Sequence, residues 1–117
     1  MNLTICKKIC KECPFTLKSA KGWLGPHSAD DIIEDMNRDI PFSCHLVRTD
    51  DQDENISKLI SGEHPVCRGY IACASCSAKQ FGQHPLYGKQ MRELQKSITE
   101  EDINSVMNKW TFKKYHE

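Results

Sequence analysis

At 117 residues the chain fits one domain, and its charged (27%) and apolar (38%) fractions are those of an ordinary soluble protein. The formal net charge is zero, so no bulk electrostatic pull toward nucleic acid or a membrane surface is expected. No apolar run approaches the length of a membrane span, and the lysine-studded start has no apolar core of a secretory signal, so a cytoplasmic protein is expected.

Residues 1–21 are basic, with Lys7, Lys8, Lys11, Lys18 and Lys21 against Glu12, and a turn-rich segment around Trp23 follows. Ser28 is a good N-cap, Asp30 and Asp31 suit a helix N-terminus, and Ile32, Ile33 and Met36 form an apolar stripe. These residues predict a helix over 29–38, stopped by Pro41. Residues 42–48 alternate weakly and read as a short strand, and residues 49–54 as an acidic surface loop. One or two helical turns over 55–61 close at Gly62, and the small-residue run over 66–81 reads as helix. Pro85 suits a first helical turn, with Leu86, Met91, Leu94 and Ile98 following. Thr99 with Asp102 resembles a capping box and opens a last helix carrying Ile103, Val106, Met107 and Trp110, followed by a loose tail over 113–117. The expected fold is mainly α, with a small α+β arrangement as the alternative: one compact domain over 1–117, its irregular loops organised around a four-cysteine metal or cluster site, and C-terminal helices over 85–112.

Seven cysteines are many for this length, and an odd number without a secretory signal argues for thiolate ligands or reactive thiols over a disulfide framework. Cys10 and Cys13 form a C-x-x-C followed by Pro14, a spacing that suits one metal ion or adjacent irons of a cluster. A redox dithiol of the thioredoxin kind needs a strand before it and a helix after, which Lys7, Lys8 and Pro14 argue against. Cys44 and Cys67, each among small or turn-forming residues, complete a set of four. One pair joined by two separated singles favours a 4Fe–4S cluster over zinc, because structural zinc sites commonly use two paired knuckles.

The alternative ligands are His45, which can replace a thiolate in a zinc site, and the pair Cys73 and Cys76, whose bland reading is two small core thiols on one helix face. Cys6 with Cys10 and Cys13 spells C-x-x-x-C-x-x-C, the spacing of radical S-adenosylmethionine enzymes, but those need a barrel that this length cannot supply.

Cys10-Lys-Glu-Cys-Pro-Phe15, Gly22-Trp23-Leu24, Pro41-Phe-Ser-Cys-His45 and Cys67-Arg-Gly69 together resemble a family of small cysteine-rich proteins encoded mainly by bacteriophages, prophages and some bacteria. The resemblance covers residues 10–80 and implies that Cys10, Cys13, Cys44 and Cys67 form one site. It implies no established activity. It leaves out Cys6, Cys73 and Cys76.

The expected function is a non-enzymatic cluster-binding protein that docks on a host or phage protein, with Trp23, Trp110, Phe112 and Tyr115 as candidate aromatic anchors. The bland reading packs Trp23 on the metal site and Trp110 on the core face of its helix. A zinc-based nucleic-acid-binding module is the alternative, using Lys7, Lys8 and Lys11 with the tail lysines Lys113 and Lys114, although a solvated face explains them as well. A redox or electron-transfer protein is the second alternative. No Ser-His-Asp set, phosphate loop or carboxylate pair points to an enzyme.

Overall fold

The computed structural model describes residues 2–10, 13–17, 28–44 and 46–116. Over these the chain is mainly helical: α1 (Ala29–Asn37), α2 (Gln52–Ser61), α3 (Arg68–Cys76), α4 (Gly88–Gln95), α5 (Glu100–Asn104) and α6 (Lys109–His116).

Helix α3 is the hub. It packs against α4, α5 and α6, and every residue from Arg68 to Ala74 is buried. A helix apolar on all sides belongs inside a core, and Gly69, Ala72 and Ala74 are small enough to let neighbours close on it. The helix is shorter than the expected run over 66–81. Ala78 takes a left-handed φ of 62°, and the Ser77 hydroxyl donates to the Cys73 carbonyl while accepting the Lys109 N–H at 2.8 Å. A contact 32 residues away in sequence thus fixes this end.

Sequence signals locate other termini well. Ser28 caps α1 through the Asp31 N–H, Gly62 closes α2 at φ 82°, and Thr99 with Asp102 forms the reciprocal capping box of α5. Other expectations need correction. Among the described residues of the strand expected over 42–48, only Ser43 makes a bridge, and the Val47 N–H bonds the Cys44 carbonyl instead of a neighbouring strand. The acidic loop over 49–54 contains the start of α2, since Asp51 accepts the Glu54 N–H and Asn55 is buried, pairing both ways with the Thr49 backbone. Helix α4 begins only at Gly88, leaving Pro85 in the preceding turn and Leu86 exposed.

The last expected helix is two helices. Between them Val106 bridges Thr16, the Met107 N–H bonds the Phe15 carbonyl, and Asn108 accepts the Thr111 N–H. The tail is anchored, not loose: it is helical to His116, whose Nε2 donates to the Pro14 carbonyl at 2.8 Å. Trp110, expected on the core face, is 64% exposed, and Phe112 occupies the core instead.

The aromatic core sits beside α3. Phe15 stacks on Phe112 with centroids 4.6 Å apart and meets Phe42 and Tyr70 edge-on, and the Tyr70 hydroxyl donates to the Ile40 carbonyl.

Candidate metal centre

Three extended segments meet at Val66, just before α3. Ile5 pairs with Val66 in parallel and Ser43 pairs with it antiparallel. The hydrogen bonds Cys6 N–H to Val66 O, Cys44 N–H to Pro65 O and Cys67 N–H to Phe42 O fasten three cysteines side by side. The fourth arrives from the Cys10–Cys13 turn, in which the Cys13 N–H bonds the Cys10 carbonyl.

The sulfurs of Cys13 and Cys67 lie 3.4 Å apart. The Cys6 thiol is hydrogen-bonded to that of Cys44 and lies within electrostatic reach of Cys67. Cys13, Cys44 and Cys67 are buried, and Cys6 and Cys10 are half-buried. Gly69 explains how Cys13 comes so close, because a Cβ there would collide with the Cys13 sulfur. The Cys67-x-Gly69 pattern therefore leaves a niche in the first turn of α3 that holds another cysteine's sulfur.

The group stands at the N-terminus of a buried helix, with Cys67 as its N-cap. The Arg68 N–H points to the Cys6 sulfur and the Tyr70 N–H to the Cys67 sulfur. Backbone N–H groups and the helix dipole favour negative charge on both sulfurs. Two guanidinium groups flank the site. Arg48 lies 4.3 Å over the Phe42 ring, donates to the Ser43 hydroxyl and interacts electrostatically with Cys67. Arg68 donates to the Cys6 carbonyl and pairs with Asp102 at 2.8 Å. Mutual repulsion works the other way. The hydrogen bond with Cys44 and then burial push the Cys6 thiol up, and contact with Cys13 and then burial push Cys67 well above its ordinary value. The Cys6 and Cys67 thiols therefore hold their protons until a cation replaces them.

Of the four ligands expected, Cys13, Cys44 and Cys67 are brought together, with Cys6 joining them. Cys10 lies in the same loop. His45, Trp23 and Lys11 lie outside the described residues. Cys73 is buried in α3, where burial and then the neighbouring Cys76 push its thiol up, and its hydrogen-bond partner is Ser77. Among the described residues, no three or more His, Cys, Asp or Glu side chains are placed to hold a single metal ion. Lys7 and Lys8 are exposed and line a cleft of about 440 Å³ with Arg68, Glu101 and Asp102, whose carboxylates offset the basic charge.

The sequence reading held Cys6 only as an alternative ligand and did not name Arg48. The apolar alternation of Leu3 and Ile5, which delivers Cys6 to Val66 as an extended segment, was the available signal. Arg48 carries no local signal, because its place over Phe42 is made by the turn after Cys44. No protein family, curated protein or solved structure matches the chain.

Proposed function

We propose that this protein is a small metal-binding protein whose thiolate centre carries a 4Fe–4S cluster, and that it acts without catalysis by binding a protein partner. The observation that supports this most is the gathering of Cys6, Cys13, Cys44 and Cys67 at the N-terminus of a buried helix. Four soft donors of one kind suit a thiophilic metal. Backbone N–H groups aimed at two sulfurs and a nearby Arg48 compensate the negative charge of a thiolate-ligated cluster. Cys13, Cys44 and Cys67 are ligands in this reading, and Cys6 or Cys10 is the fourth. The cluster preference rests on the sequence pattern of one C-x-x-C pair with separated single cysteines, since a cluster takes its thiolates from several directions.

Zinc is the second reading, and one distance favours it. A zinc ion with Zn–S bonds of about 2.3 Å places its thiolates roughly 3.8 Å apart, and Cys13 and Cys67 stand 3.4 Å apart.

Exposed Trp110, with the Lys109 ammonium 5.1 Å from its ring, offers an aromatic anchor for the partner. That partner is a host or phage protein if the resemblance of the cysteine motifs holds, and the place of action is then the host cytoplasm.

Purification without oxygen, followed by a visible spectrum and assays of iron, sulfide and zinc, tests the reading. Broad absorption near ~400 nm with stoichiometric iron and sulfide is expected. Colourless protein with one zinc overturns the cluster in favour of the second reading.

A further inference from the structure

A cleft of about 510 Å³ lies at the C-terminal end of α3, opposite the end that carries the thiols, and is completed by α4 and α5. Its apolar wall is buried Phe81 with half-buried Ile98 and Ile103. Gln95 fixes its shape. The Gln95 Oε1 accepts the Phe81 N–H at 3.0 Å, and its Nε2 donates to the Lys79 carbonyl at 2.7 Å and to the Ser75 hydroxyl at 3.0 Å.

The described lining holds three cations, Lys79, Arg92 and Lys96, and no carboxylate. Two of them have partners elsewhere: Lys79 pairs with Asp39 at 2.8 Å and Lys96 with Glu93 at 2.9 Å. Arg92 differs. Among the described residues its guanidinium makes no hydrogen bond or ion pair. Its stem lies over Gly82, with Cδ 3.4 Å from the place a Cβ would take, which holds the guanidinium beside the cleft.

A planar guanidinium takes one carboxylate through two parallel N–H bonds, and an apolar wall takes an apolar side chain. The occupant therefore carries a single carboxylate next to an apolar group. Ala78, Gln80, Arg92 and Lys96 are exposed, so the cleft is too open to enclose a small molecule, which needs most of its surface buried. The Gln80 N–H and carbonyl make no hydrogen bond among the described residues and can pair with a continuing main chain.

We propose that this cleft docks a peptide segment of a protein partner, in which one acidic side chain meets Arg92 and a neighbouring apolar side chain packs on Phe81, Ile98 and Ile103. The proposal rests on the partner-binding reading above and gives it a docking site apart from Trp110. It is independent of which metal the thiols hold.

Amide NMR spectra of the isotopically labelled full chain test it. The probe is acetyl-Ser-Leu-Glu-Leu-Ser-amide, capped at both ends so that the Glu is its one charge. The amides of Gln80, Phe81 and Gln95 are expected to shift, with a Kd of ~1 mM. Gln for Glu in the probe, or Arg92→Gln in the protein, is expected to weaken binding about threefold or more. The two changes together are expected to cost no more than either alone, as a direct contact requires. Arg92 is exposed, so the variant should keep the parent's spectrum elsewhere. Absence of shifts at the cleft, additive losses in the paired changes, or octanoate binding as tightly as the probe overturns the site. Shifts at Trp110 alone also overturn it while leaving the partner-binding reading in place, so the two failures are distinguishable.

Discussion

Gly69 illustrates how one missing atom can decide a site. A Cβ there would meet the Cys13 sulfur and crowd Phe15. Gly69→Ala should therefore push the Cys10–Cys13 turn off α3. Overpacking of this kind costs about 1–3 kcal/mol, and metal content should fall further than stability does, because a proposed ligand is displaced. Urea unfolding beside metal analysis checks this, and unchanged metal content would refute it. Asp39 is the other single residue with large leverage. It is fully buried at φ 62°. Burial alone would raise its pKa. The Lys79 ammonium at 2.8 Å and the N–H groups of Gly82, Gln83 and His84 outweigh burial and bring it down to about 2. A folded-state pKa below the unfolded value means stability that is full above pH ~4 and lost as pH falls toward 2. The contribution is about 2 kcal/mol. Asp39→Asn should thus be less stable than the parent at pH 6, and the gap should narrow by pH 2.5. Denaturation midpoints at the two pH values measure it.

Among the elements, α6 has the clearest structural task. It roofs the cysteine turn: Phe112 stacks on Phe15 and His116 holds the Pro14 carbonyl. Phe112→Ala removes the central ring of that contact and should cost about 3–5 kcal/mol. It should also speed alkylation of the buried Cys13 thiol, which mass spectrometry of the metal-free protein can follow. Equal alkylation rates in variant and parent would show that α6 does not guard the turn. The helix itself was half legible. The periodic residues Ile103, Val106, Met107 and Trp110 promised one continuous helix after the capping box. The break between α5 and α6 comes from Phe15 and Thr16, which take the backbone of 106–107 into pairing, and from Ser77, which holds Lys109. Such partners are remote in sequence, so local periodicity misassigns both the break and the direction of Trp110. Caps behave differently. Ser28, Thr99 and Gly62 act within four residues of themselves, and a local pattern is enough to find them.

For the whole molecule, α3 organises both the core and the candidate site. Its apolar flank collects Phe15, Phe42 and Phe112 around Tyr70 and Met91 around its other side, while its N-terminus collects the thiols. Arg68 ties the two together by reaching Asp102, Ser97 and the Cys6 carbonyl at once. The mainly helical class and the caps at Ser28, Gly62 and Thr99 were determined by sequence alone, because residue type and short spacing carry them. Only the tertiary structure decided that Cys6 joins the group, that Gly69 makes room for Cys13, and that the tail closes over the turn. Each of these depends on segments distant in the chain being held side by side, through Val66 in one case and Phe15 in another, and no local pattern encodes such a meeting.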